Sequence, residues 1–283
     1  MSVRVGSLEH RDLFCRTFIE THAAYEPESL PWPHLEKRYV DLLRALPFWS
    51  FALSMEQEAG RMITAFARTI DDPVIRKAVE LQAYEEARHG RLLQTLLKRY
   101  EITVPVLPLS TTPVRRDDFL VFGFSECLDS VVGFGGFALA RQKQIFPKEL
   151  LDIFEQTLYE EARHIVFFIN WWRYEESVAG HANPLARLVR ALQYHVRAVM
   201  HSAQGAQGTI DLTGGGSQQI LSGVTPAMFL EAALRENRAM MRRLDPRLLR
   251  PRIVPALATA ALLGLRMLPP RATTQTRPRI AAA

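Results

Sequence analysis

One hexapeptide, Tyr-Glu-Glu-Ala-Arg-His, occurs twice in the chain, at 84–89 and again at 159–164. Within each copy a glutamate and a histidine stand three residues apart: Glu86 and His89, then Glu161 and His164. On a helix that spacing puts both side chains on one face. A carboxylate and an imidazole turned inward together make half of a metal site, and two such halves from facing helices make a dinuclear centre. Such a centre needs one further carboxylate from each of two other helices. Glu126 is the one Glu between residues 117 and 144 and stands 35 residues before Glu161. Its helical face carries Phe119, Phe122, Gly123, Ser130, Gly133 and Phe137, with Asp129 alongside. An ionised carboxylate on so apolar a face needs a partner or a cation to offset its desolvation. Upstream of the first copy, Glu56 and Glu58 compete, and at a spacing of two both cannot point inward. Glu56 shares its face with Trp49, Ala52, Leu53, Ala59, Gly60 and Ile63, whereas Glu58 lies with Ser54 and Arg61, which suits solvent. Glu56 is the expected ligand.

These side chains need helices to carry them, and the stops and starts are legible. An apolar-rich run from Pro47 to about Thr69 is closed by Asp71-Asp72-Pro73, a cap and first-turn proline that open a second helix to about Tyr100. Residues 101–115 hold three prolines and read as an extended connection. Asp117-Asp118 is the expected cap of a third helix to about Gln144, and Pro147 opens a fourth that reaches Glu176. Asn183-Pro184 starts a fifth helix ending near His201. A glycine-rich loop at 205–223 follows, then Thr225-Pro226 and a sixth helix to about Arg243. Short links join antiparallel helices and a long one joins two such pairs. The expected fold is therefore all-α: a ferritin-like four-helix bundle with one long crossover plus additional C-terminal helices. Residues 1–243 form the bundle domain, with its core at 45–175, and 244–283 form a basic segment with a short apolar helix.

Composition excludes several classes. With 48% hydrophobic and 23% charged residues the chain is neither disordered nor fibrous. The longest clean apolar run, Ile253–Leu265, is 13 residues, short of the roughly 20 a spanning helix needs. The first 16 residues mix charges with no apolar core, so no secretory signal is expected. Two cysteines, Cys15 and Cys127, offer no disulfide framework, and a cytoplasmic location is expected. The net charge of +5 is uneven: residues 241–283 hold nine Arg against Asp245 alone, which leaves the body slightly acidic. That pattern speaks against nucleic acid. The run 253–265, flanked by Arg250, Arg252, Arg266 and Arg271, either lies in a membrane interface or covers the bundle.

The pattern Glu56…Glu86-x-x-His89 and Glu126…Glu161-x-x-His164 resembles the ferritin-like di-iron carboxylate superfamily. Locally, Glu56-Gln57-Glu58-Ala59 and Glu126-Cys127 are similar to the bacterial aldehyde-deformylating oxygenases, where the first Glu of the tetrapeptide is a ligand. The resemblance covers about residues 45–175. It implies an oxidase or oxygenase with two iron ions held by Glu56, Glu86, His89, Glu126, Glu161 and His164. The pattern departs from particular branches in two places, from the methane monooxygenase-type enzymes and ribonucleotide reductase small subunits in the first and from the arylamine oxygenases in the second. Glu85 and Glu160 stand where an Asp is usual, and with Arg88 and Arg163 they are expected to orient the histidines. Gln82 and Thr157 occupy the positions where arylamine oxygenases would supply an extra histidine. Iron-storage ferritins lack the second histidine of this pattern.

Four carboxylates and two imidazoles suit Fe or Mn, so a di-iron, mixed Fe/Mn or manganese centre fits. The expected activity is O2-dependent oxidation of a small hydrophobic molecule, with electrons from an external donor such as a ferredoxin, since no flavin, NAD or iron–sulfur motif is visible. The rival is a ferroxidase or peroxide-scavenging protein that handles iron without an organic substrate. A homodimer is the superfamily's habit. Further residues carry two readings each. Tyr84 and Tyr159 are redox-active or buried packing tyrosines. Ser130 is a proton relay beside Glu126 or a hydroxyl satisfied by its own helix. Gly133, Gly135 and Gly136 leave room for substrate or let helices approach. His195 and His201, six apart, lie on different faces and make no second metal site.

Overall fold

The computed structural model describes residues 3–206 and 222–267. In chain order it contains α1 (Leu8–Glu20), a 3₁₀ turn (Pro27–Ser29), α2 (Lys37–Arg44), α3 (Trp49–Ala67), α4 (Pro73–Arg99), α5 (Arg116–Gln142), α6 (Lys148–Val178), α7 (Pro184–Ala206), α8 (Pro226–Arg242) and α9 (Ile253–Met267). The chain is all-α, with no strand among the described residues. Helices α1 and α2 fall where the sequence reading assigned none. The expected glycine-rich loop (largely residues 207–221) and Arg271 lie outside the described residues.

Local chemistry explains the starts. The Asp72 carboxylate accepts from the N–H groups of Val74 at 2.8 Å and Ile75 at 3.1 Å, with Pro73 in the first turn. Asn183 and Thr225 cap α7 and α8 in the same way. The start of α5 differs from expectation. Arg115 takes the cap position, and Asp118 reaches back to accept its N–H at 2.8 Å. Asp117 instead accepts from Tyr194 of α7 at 2.7 Å. Pro147 is likewise the cap of α6 rather than its first residue.

Two antiparallel pairs hold the hexapeptides. In α3/α4, Gly60 lies against Ala87 and Gly90 against Gln57 and Glu56; a Cβ on Gly60 would stand 3.3 Å from the Ala87 nitrogen. In α5/α6, Phe119 meets Phe168 and Trp171 near one end and Phe137 meets Phe154 near the other. Gly123 is the closest approach there, since a Cβ would fall 2.2 Å from the Phe168 ring. The 101–115 connection runs beside α3, pinned by Ser50 Oγ on Pro105 O at 2.6 Å and by the Ser110 N–H on Glu58 at 3.1 Å.

The apolar interior comes in two large bodies and a small third one, Ala138 and Leu139 of α5 with Ala232 of α8. One is built from α1, Ala59–Ala67 of α3, Ile75–Ala83 of α4, Phe119–Phe134 of α5 and Leu158–Tyr174 of α6. The other takes Trp49 and Leu53, Leu92–Tyr100, Ala140 and Leu150–Phe154 from the opposite ends of the same helices. Phe137 touches both. Between them, on α3 and α4, lie Glu56, Glu86 and His89.

The later helices pack outside. Tyr194 and His195 of α7 lay their rings on Phe124 of α5. On α8, Ala233 stands where a Cβ on Gly135 would come within 2.9 Å. Helix α9 buries Val254, Ala258 and Leu262 on α8 and α5 while Leu257 and Leu263 stay exposed. Among the described residues α5 is the one helix long and apolar enough to cross a bilayer; here it is packed by α6, α7 and α8.

Candidate metal centre

The six sequence-predicted ligand residues come together. One group is Glu56, Glu86, His89 and Glu161; a second is Glu86, Glu126, Glu161 and His164, and in each the ligand atoms all lie within 4.8 Å of one another. Glu86 and Glu161 belong to both groups, each presenting one oxygen toward each histidine. Nδ1 of His89 is 3.1 Å from Glu161 and 3.6 Å from both Glu56 and Glu86. Nδ1 of His164 is 2.9 Å from Glu86 and 3.6 Å from Glu161. Donors about 2.1 Å from a cation are separated by about 3.0 Å in octahedral and about 3.4 Å in tetrahedral arrangement. The shorter observed spacings, 2.9 and 3.1 Å, are close to the octahedral value and the 3.6 Å ones lie somewhat beyond the tetrahedral value.

Among the described residues, no well-directed hydrogen bond reaches Nδ1 of either histidine, Glu86 Oε1 or Glu126 Oε2, although all four atoms are buried and His164 Nδ1 stands 2.9 Å from Glu86 Oε1. Buried polar atoms are normally paired. Four orphans on one cluster, from a donor set of carboxylates and imidazoles, fit a pair of divalent cations of the hard-to-borderline kind. Glu58 is turned away, bonded to Arg61 and to the Ser110 N–H.

The opposite ring nitrogens are fixed. Nε2 of His89 donates to Glu160 at 2.8 Å and Nε2 of His164 donates to Glu85 at 2.9 Å. Each carboxylate therefore serves the histidine of the other helix, which the hexapeptide alone does not reveal. Arg88 pairs with Glu160 at 2.7 Å and Arg163 with Glu85 at 2.8 Å, all four side chains being buried. Two residues the sequence reading missed complete the network: His22 Nδ1 on Glu85 at 2.6 Å and Tyr25 Oη on Glu160 at 3.3 Å. They arrive from a segment remote from both hexapeptides, and no spacing or repeat marks them.

Charge is partly offset within the cluster. Burial pushes Glu56 up to about 7, and burial with the neighbouring Glu161 and Glu86 holds Glu126 well above the carboxylate range. Burial alone would keep both imidazoles neutral, but the surrounding carboxylates outweigh it and hold His89 and His164 well above the ordinary range. Raised imidazoles and raised carboxyls thus both lessen the negative charge that the cluster carries.

The remaining candidates separate. The Ser130 hydroxyl, one turn after Glu126, is buried with no hydrogen bond among the described residues, so it is not satisfied by its own helix. Tyr84 is 45% exposed, against the expectation of a buried tyrosine; Tyr159 is partly buried, with Arg243 across its ring at 4.2 Å. Gly135 is a helix contact, while a Cβ on Gly133 or Gly136 would meet nothing within 4 Å. His195 bonds the Ala191 carbonyl at 2.7 Å. A cavity of about 610 Å³ opens between α3, α5, α7 and the 101–115 connection. It is lined by Met55 and Ala59, which flank Glu56, and by Phe122, one turn before Glu126, with Arg61, Arg197 and His201 also on its wall. The His89 and His164 side chains are 1% and 0% exposed, whereas Glu56 and Glu161 keep 24% and 18%, so the carboxylate edge is the accessible one. Comparison of the chain with protein-family models, curated proteins and solved structures finds no match.

Proposed function

We propose that this chain is a non-haem di-iron oxidase or oxygenase, a ferritin-like four-helix bundle built on α3–α6 with the 101–115 connection as its crossover. The observation that carries the reading is the sharing of Glu86 and Glu161 between two ligand groups, each completed by one histidine and one further glutamate. When bound, a pair of iron ions supplies O2 reduction at such a site. The chain's own residues do the rest. Nδ1 of His89 and His164 offer lone pairs inward because Nε2 of each is held by a carboxylate. Glu126 and Glu56 close the two ends of the cluster. Ser130 holds an uncommitted hydroxyl proton one turn from Glu126, suited to passing a proton at that carboxylate. Met55, Ala59, Met62 and Phe122, on the cavity wall beside the helix positions of Glu56 and Glu126, suit an apolar substrate. Electrons come from an external carrier such as a ferredoxin. The free, buried Cys15 and Cys127 suit a reducing cytoplasm.

The test is an anaerobic Fe(II) titration of the full chain, then exposure to O2 with iron and O2 counted. Saturation at two irons per chain with O2 consumption supports the reading. Uptake that continues far beyond two identifies an iron-handling protein instead, and no uptake removes the metal centre.

A further inference from the structure

The segment between α1 and the 3₁₀ turn crosses the sealed, histidine side of the cluster, and the buried arginines clamp it there. Arg163 donates to Thr21 Oγ1 at 2.9 Å and to the Phe18 carbonyl, and Arg88 donates to the Ala23 carbonyl at 2.8 Å. The two arginines that neutralise Glu85 and Glu160 thus also fix this strap. From it, His22 reaches Glu85 and Tyr25 reaches Glu160, one strap residue to each carboxylate. The Tyr25 ring lies under the Arg88 guanidinium at 3.9 Å, and the His22 ring stands edge-on to Tyr84 at 6.0 Å.

We infer that His22 and Tyr25 are positioning residues, each setting the orientation of one imidazole through one carboxylate: His22 acts on His164 through Glu85, and Tyr25 acts on His89 through Glu160. The inference rests on the proposed metal centre. Glu85 shows why the strap matters. Its Oε1 takes His22 at 2.6 Å and Arg163 at 2.8 Å, and its Oε2 takes His164 at 2.9 Å and Arg163 at 3.0 Å. Without His22 only His164 and Arg163 hold the carboxylate, so it is freer to turn about its axis and the His164 ring with it. Glu160 has Arg88 and Gln156 on Oε1 and His89 and Tyr25 on Oε2, so Tyr25 shares the histidine's oxygen where His22 takes the opposite one. Partners of ligating histidines influence metal affinity by about 10–100-fold. A residue one bond further out acts at the lower end of that range.

The experiment uses Co(II) as the probe on the full chain, with anaerobic titration and paramagnetic proton NMR. Wild type takes two Co(II) and shows two exchangeable, hyperfine-shifted N–H signals, one per imidazole Nε2–H. His22→Leu moves one signal and weakens one Co(II) by about tenfold. Tyr25→Phe moves the other signal and weakens the other Co(II) by about threefold, its hydrogen bond being longer at 3.3 Å. His22→Asn, whose amide nitrogen replaces Nδ1, restores the first signal. If wild type binds two Co(II) while both variants keep both signals and both affinities, the strap is a cover and the inference is wrong. Both variants moving the same signal also overturns it. A wild type that binds no Co(II) removes the metal centre itself, and the inference with it.

Discussion

Glu160 of α6 accepts a hydrogen bond from His89 of α4 at 2.8 Å, and the relationship is mirrored by Glu85 of α4 and His164 of α6. The crossing follows from helix geometry. A residue next to an inward-facing ligand lies about 100° around the helix, so Glu85 and Glu160 look sideways at the neighbouring helix rather than at the cluster. Arg88 and Arg163, three residues further on, share those sideways faces and meet the carboxylates coming the other way.

That arrangement makes the arginines costly to remove. Arg88→Ala leaves Glu160 buried beside His89 without its strongest partner. Breaking a buried ion pair typically destabilises by about 3–5 kcal/mol. Urea unfolding of the metal-free chain should show a loss of that size, and a loss under 1 kcal/mol would mean that Gln156 and Tyr25 suffice.

Loading with cations should release protons. His89, His164, Glu56 and Glu126 all hold protons more firmly than exposed groups do, the imidazoles through their carboxylate neighbours and Glu56 and Glu126 through burial. Cations compete with those protons, so apparent affinity falls as pH drops, and with Glu56 at about 7 the decline is already under way near neutrality. Proton release on adding Zn(II), read with a pH indicator in weak buffer, checks the sign. Uptake without release would contradict the assigned protonation.

Asp72 gives a stability signature away from the cluster. Burial alone would raise its pKa, but the N–H groups of Ile75 and Val74 and the Arg11 guanidinium outweigh that and lower it. A folded value below the unfolded one adds stability at neutral pH that is lost as the pH falls below about 4. Asp72→Ala should cost about 1 kcal/mol at pH 7. The difference from wild type should shrink in acid, as followed by thermal unfolding across pH.

Two glycines of α5 should respond oppositely to alanine. Gly136→Ala enters open space on an exposed position and should stabilise by up to about 1 kcal/mol. Gly123→Ala drives a methyl into the Phe168 ring and should destabilise by about 1–3 kcal/mol. Denaturant midpoints of the two variants separate these outcomes.

Much of this was legible in the chain. The hexapeptides, the lone Glu126 and the two faces offered by Glu56 and Glu58 pointed to six side chains that the structure brings together. Proline and capping residues marked most helix starts. The start of α5 lies two residues earlier than the Asp117-Asp118 pair suggests: Asp118 serves it from the third helical position, and Asp117 is taken by Tyr194, 77 residues away. The direction of the Glu85 and Glu160 bonds, and the part played by His22 and Tyr25, depend on which helices face each other. Local spacing carries no record of that.

The polar layer across the interior has a consequence for cooperativity. Phe137 is the partly buried hydrophobic that packs against both large apolar bodies, and α3–α6 each run through the two. The polar layer adds ties across the helices, through crossed ion pairs and the ligand cluster. Bound cations, held by side chains from all four helices, should therefore raise the unfolding midpoint of the whole bundle rather than of one end.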